Sequence, residues 1–203
     1  MEERRVKTRG LVEMALFSAI VFILALSPLG YIPLGFMDVT TIHIPVIIAG
    51  VVLGWKKGAF IGSMFGLSSL LYTIFRPSLT AFFFSPFVSG DIRSLIICFI
   101  PRILIGIVAY FVYKGVYKVI KNRMISVFIA GVAGSMVNTI LVLSMIYLFF
   151  ASKYAEIMSV DIDSIVDIIS VVAMLNGGIE AIIAGIISSA VCITLFKVLN
   201  NRI

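Results

Sequence analysis

Six apolar stretches follow one another along this chain, separated by connections that hold most of its charge, and that alternation leaves few ways to fold. A helix needs about 20 apolar residues to cross the hydrocarbon core of a bilayer, where only a helix or a closed barrel satisfies its own backbone polar groups. The stretches cover residues 11–29, 39–53, 59–75, 94–113, 125–150 and 168–198. The second is short and carries Pro45, which predicts bending or an oblique crossing. The last is long enough to begin near the surface before it enters the bilayer. The expectation is an all-α integral membrane protein, a six-transmembrane-helix bundle forming a single membrane domain over 1–203. Composition agrees: 61% of residues are hydrophobic and 13% charged, against nearer half and a quarter in a soluble domain. The basic N-terminal segment precedes an apolar run that ends at Ser27-Pro28 with further membrane segments behind it, which predicts a retained first helix rather than a cleaved signal.

The net charge of +6 is distributed in a way that predicts orientation rather than nucleic-acid binding. Arg4, Arg5, Lys7 and Arg9 precede the first stretch, and Lys56 and Lys57 separate the second from the third. Lys114, Lys118, Lys121 and Arg123 separate the fourth from the fifth, and Lys197 and Arg202 follow the sixth. On a six-helix path all of these share one side, so both termini are predicted to be cytoplasmic. The opposite connections hold Asp38, Asp91, Glu156, Asp161, Asp163 and Asp167, with Arg76, Arg93 and Lys153 against them. Of those connections, 76–93 is rich in Pro, Phe and Ser. It reads equally as a lid dipping toward the membrane or as an ordinary loop with interfacial aromatics. Residues 151–169 are acidic and predict an amphipathic surface helix.

Ionisable groups at bilayer depth are costly and therefore mark function or specific pairing. His43, Arg102 and Glu180 lie inside the apolar stretches, with Asn138 and Asn176 at comparable depth. One reading is an outward-facing polar pocket between the second, fourth, fifth and sixth helices, in which Arg102 offers a planar fork to a carboxylate or phosphate. The other is an Arg102–Glu180 pair that neutralises itself and pins two helices together. The two can coexist. His43 reads as a packing group or a ligand contact, and Thr40 and Thr41 as caps of the second helix, with ligand contact a further option for Thr41. Small residues recur four apart at Ala15/Ala19, at Gly58/Gly62/Gly66, and at Gly177/Ala181/Gly185/Ser189, which lets helix backbones approach closely. Cys98 and Cys192 sit in apolar runs and read as inert thiols, with no metal site and no disulfide. HExxH, GxSxG, SxxK and Walker A sequences are absent, which argues against an enzyme and leaves ATP hydrolysis to any partner that supplies the site.

Several runs make the chain resemble the substrate-binding S components of energy-coupling factor (ECF) vitamin transporters. They are Thr41-Ile42-His43-Ile44-Pro45 through Gly50 into Leu53-Gly54, then Gly58-Ala59-Phe60-Ile61-Gly62 into Phe65-Gly66-Leu67. Phe84-Ser85-Pro86, Pro101-Arg102 through Gly106, and Asn176 with Ile179-Glu180-Ala181 complete the set. The likeness covers nearly the whole chain and is greatest to the pantothenate branch. It implies a high-affinity vitamin-binding subunit in the cell membrane, with no cofactor and no ATPase of its own. Its partners would be an ECF transmembrane coupling protein and two ATPase subunits, where ATP is used. It also implies that Ala15 and Ala19, matching the family's Ala-xxx-Ala patch, dock on the coupling protein. Ligand residues are expected among Arg102, Asn138, Asn176, Glu180, His43, Thr41 and Phe84. One Arg with several Asn, Thr and His groups suits the carboxylate, amide and hydroxyls of pantothenate. Riboflavin, folate or a thiamine precursor are the alternatives within the family, Phe82 to Phe84 and Tyr72 offering stacking for a flavin. A stand-alone channel or carrier is the alternative of another class, and an intramembrane enzyme ranks behind it.

Overall fold

In the computed structural model, residues 2–33, 38–75 and 81–200 are described; they are mostly helical, with one short ladder and the turns between elements. The helices are α1 (Glu2–Leu26), α2 (His43–Leu53), α3 (Trp55–Phe75), α4 (Ala81–Phe84), α5 (Pro86–Ser89), α6 (Arg93–Ile120), α7 (Arg123–Met158), α8 (Ile165–Val172) and α9 (Gly178–Asn200). Between α1 and α2, β1 (Tyr31–Pro33) and β2 (Asp38–Thr40) pair antiparallel, with Tyr31 opposite Thr40. The opening residues of the second predicted helix, 39–40, are therefore strand, and the helix itself starts at His43. Arg76 and Pro77, which open the predicted Phe-rich connection, lie outside the described residues.

Among the described residues, four helical runs are long and apolar enough to cross a membrane: Thr8–Leu26, Arg93–Ile120, Arg123–Ile157 and Ile162–Val198. The second predicted span differs for a physical reason. α2 has 11 residues, a rise of only about 16 Å, too short for the hydrocarbon core. Every residue from His43 to Val51 in it is buried, so it is apolar all round because it runs through the middle of the protein. Gly54, at φ 96°, makes the turn from α2 into α3, a left-handed conformation that glycine adopts without strain.

Glycines decide how closely the inner helices approach. A Cβ on Gly50 would lie 2.3 Å from the Gly106 carbonyl oxygen, and one on Gly58 would lie 2.6 Å from Gly50 Cα. The backbones of α2, α3 and α6 thus touch, with dispersion contacts replacing a hydrophobic drive that lipid does not supply. On the other side of the molecule, Gly131 of α7 meets Gly185 of α9, where a Cβ would sit 2.8 Å from the facing Cα.

α6 ends at Lys121 in the left-handed region, and Asn122 caps α7 by accepting from Ile125 N at 3.2 Å. The fifth predicted helix was expected to stop at Phe150. Instead α7 bends there, with Phe150 at φ −140°, and continues to Met158. The Phe150 ring packs there against Phe82 at 5.5 Å and Phe83 at 6.1 Å between ring centroids. A 3-10 turn at Ile162–Ser164, α8, a π-turn at Ala173–Gly177 and α9 then form one nearly continuous run. The acidic connection therefore holds the end of α7 and the start of this run rather than a separate surface helix.

Candidate functional site

Arg102 stands one residue after Pro101 within α6, and that neighbour explains its posture. Proline has no N–H, so the carbonyl of Ile97, four residues earlier, loses its helical donor. Arg102 Nη1 takes the place of that donor, at 2.7 Å from Ile97 O. The guanidinium carbon lies 4.7 Å from the centre of the Phe84 ring and 5.5 Å from that of Phe65. Cation–π attraction of this kind strengthens where water is excluded, and Arg102 is only 6% exposed. Gly62 permits the arrangement, because a Cβ there would lie 2.2 Å from the Arg102 carbonyl oxygen. In the sequence Phe65 belongs to the Phe65-Gly66-Leu67 run, and its place three residues after Gly62, on the same face of α3, is the signal that links it to Arg102.

His43, Thr40 and Glu180 form a second group. The backbone N–H of Thr40 donates to Glu180 Oε1 at 2.6 Å, and its hydroxyl approaches the same oxygen at 3.4 Å. Thr40 Oγ1 also lies 3.5 Å from His43 Nδ1. The helix-capping role expected of Thr40 and Thr41 is not the one they have: no side chain caps α2, and Thr41 Oγ1 donates instead to Leu29 O at 2.6 Å, closing the base of the hairpin. Both side chains take backbone partners: Glu180 accepts from Thr40 N, and Arg102 Nη1 donates to Ile97 O.

Asn138 on α7 and Asn176 in the π-turn complete the set. Gly177 packs against Thr139, where a Cβ would come within 2.8 Å of its methyl group, so the segments bearing the two asparagines are in contact. A π-turn shifts the side-chain register within a helix and is common at functional sites. His43 Nε2, Asn138 Oδ1 and Asn176 Nδ2 are buried without a hydrogen-bond partner in the protein. Orphaned buried polar atoms are expensive, and these offer both donor and acceptor character to a polar solute. A groove of about 270 Å³ between α7 and α8, lined by Ser144, Tyr147, Leu148, Val166, Ile169 and Ser170, contains none of the expected ligand residues.

Between α5 and α6, Arg93 Nε donates to Asp91 Oδ2 at 2.7 Å, and that hydrogen bond holds the Asp91 carboxyl below the usual range. Ala15 and Ala19 are far from all of this in character: both are exposed on α1.

Over residues 9–194 the chain matches a protein-family model described as "ECF transporter, substrate-specific component". It is 40% identical over 168 residues to the pantothenic acid transporter PanT of Lactococcus lactis subsp. cremoris (strain MG1363), covering 80% of each chain. It is 39% identical over 112 residues to the pantothenate transporter PanT of Leuconostoc mesenteroides subsp. mesenteroides, covering 50% of this chain and 49% of that protein.

Proposed function

Because the chain belongs to the ECF transporter substrate-specific component family, we propose that it captures pantothenate from outside the cell and hands it to a separate ATP-driven coupling module. It is a multi-pass plasma-membrane transport protein. In our reading the six membrane-embedded segments are α1, the β-hairpin together with α2, α3, α6, α7 and the 162–198 run, with both termini in the cytoplasm. The basic residues between and after these elements support that orientation. Arg102 receives the pantothenate carboxylate, and Asn138, Asn176 and His43 receive its amide and hydroxyls. Phe84 covers the guanidinium, and Thr41 and Glu180 shape the rim through the hairpin. The chain has no ATPase site and takes no cofactor. Its partners are a transmembrane coupling protein, met by Ala15 and Ala19, and two ATPases.

The observation that carries this reading is the 40% identity to a curated pantothenic acid transporter, in a chain that buries Arg102 and, at His43, Asn138 and Asn176, polar atoms with no hydrogen-bond partner in the protein. Two measurements test it. Mass spectrometry of the ligand that co-purifies with the chain is expected to give pantothenate, and riboflavin, folate or a thiamine precursor in its place would overturn the assignment. Proteoliposomes holding the chain alone are expected to bind pantothenate and import none, whereas uptake without partners would make it a carrier.

A further inference from the structure

α1 is the least embedded of the four apolar runs: 11% of its span is buried, against 39–44% in the others. Among its described side chains the fully buried ones, Val21 and Ala25, both lie in its second half. The first half, which carries Ala15, is held differently. Glu13 uses its two carboxylate oxygens on two partners: Oε1 accepts from Arg9 Nε at 3.1 Å and Oε2 from Lys57 Nζ at 2.8 Å. Arg9 is one turn away on the same helix, while Lys57 belongs to the first turn of α3. The pairs Asp91–Arg93 and Lys153–Glu156 are local in sequence; Glu13–Lys57 ties one helix to another across 44 residues.

The seat for Lys57 is shaped as well as charged. A Cβ on Gly10 would lie 3.3 Å from Lys57 Nζ and 3.6 Å from its Cε, so glycine leaves room for the ammonium to reach Glu13. At about 100° per residue, Ala15 lies about 200° around the helix from Glu13 and Ala19 about 240°. Phe17, Val21 and Leu24, which meet the core, lie on the Glu13 side. Leu11, Val12 and Leu26, each more than half exposed, lie on the side of Ala15 and Ala19. The clamp therefore fixes which way a loosely embedded helix faces. At the membrane boundary such a pair is worth more than in open water, since less water is there to screen it.

We propose that Glu13, through Lys57, is a positioning residue for assembly: it sets the rotation of α1 and so presents Ala15 and Ala19 to the membrane-embedded coupling partner. This rests on the reading that those two alanines meet that partner. The test is co-expression of the chain with its coupling protein and ATPases, reading the amount of coupling protein that co-purifies, and separately the pantothenate affinity of the isolated chain. Glu13→Lys sets three cations against one another, and co-purification is expected to fall about tenfold with affinity changed less than about twofold. The exchange Glu13→Lys with Lys57→Glu restores the attraction and is expected to recover most of the lost assembly, which a merely damaged helix would not do. Glu13→Gln, milder for folding, is expected to fall between wild type and Glu13→Lys. Unchanged co-purification in Glu13→Lys, or no recovery in the exchange, overturns the proposal. Ala15→Trp, run alongside, separates the two ideas: if it assembles normally the docking reading fails, and if it alone blocks assembly the docking stands without Glu13.

Discussion

Thr40 donates its backbone N–H to Glu180 Oε1 at 2.6 Å, joining residues 140 positions apart. The contact anchors the end of β2 to α9, and it places the last hairpin residue beside His43. A hydrogen bond to a charged group is worth roughly 1.5–3 kcal/mol, more than a neutral one. Glu180 therefore holds the hairpin whether or not it also touches a solute.

Removing that acceptor gives the first prediction. Glu180→Ala is expected to weaken pantothenate affinity about tenfold or more, because the hairpin loses its charged anchor. Glu180→Gln retains an acceptor oxygen and is expected to lose less. Thr40→Ala keeps the backbone donor and is expected to be milder than either. Isothermal titration of the three purified variants decides, and a Thr40→Ala defect as large as that of Glu180→Ala would remove the backbone contact from the account.

Much of this geometry can be traced in the sequence, and the parts that cannot have a common cause. Arg102 and Glu180 stood out because charge in an apolar run has no cheap explanation. The Gly58/Gly62/Gly66 ladder, four residues apart, faces Gly50, the Arg102–Ile103 backbone and Phe99, as close helix packing requires. What was not legible is set by partners distant in the chain. The strands at 31–33 and 38–40 are three residues each, too short for a periodic pattern, and are held by each other and by Glu180. The bend at Phe150 packs against Phe82 and Phe83, nearly 70 residues away. The π-turn that carries Asn176 has no local signature at all.

Packing gives a second prediction. Gly62→Ala would force a methyl group to within 2.2 Å of the Arg102 carbonyl, so α3 and α6 must separate. Overpacking of this kind costs about 1–3 kcal/mol, which is expected to lower the thermal unfolding temperature in detergent and to weaken ligand binding as Arg102 moves. Gly115→Ala is the control, since nothing lies within 4 Å of that position and no loss is expected.

A third prediction concerns the exposed face of α1. Ala15→Trp adds bulk where the side chain already faces outward, so the fold and pantothenate affinity are expected to remain as in wild type. Uptake by the full complex is expected to cease, because a helix face cannot approach a partner closely over an indole. Transport assays in proteoliposomes containing the coupling module measure this, and undiminished uptake would move the docking surface elsewhere.

The last prediction separates binding from stability at Pro101. The guanidinium of Arg102 is aimed by Ile97 O, and that oxygen is available because Pro101 supplies no N–H. Pro101→Ala would restore the helical donor, so Ile97 O would be taken by the backbone and Arg102 Nη1 would be released from it. A proline inside a helix costs about 3 kcal/mol relative to alanine, so the variant is expected to be at least as stable as wild type by thermal unfolding. Its pantothenate affinity is nevertheless expected to fall, because a fork free to rotate must be ordered again by the ligand. Arg102→Ala sets the scale for that loss, expected to be at least about 100-fold if the guanidinium meets the carboxylate, and Arg102→Lys is expected to recover only part of it because a point charge cannot reproduce two parallel hydrogen bonds. Titration and melting of the same three preparations give both quantities. A Pro101→Ala protein that melts higher and binds equally well would show that the proline does not aim the arginine.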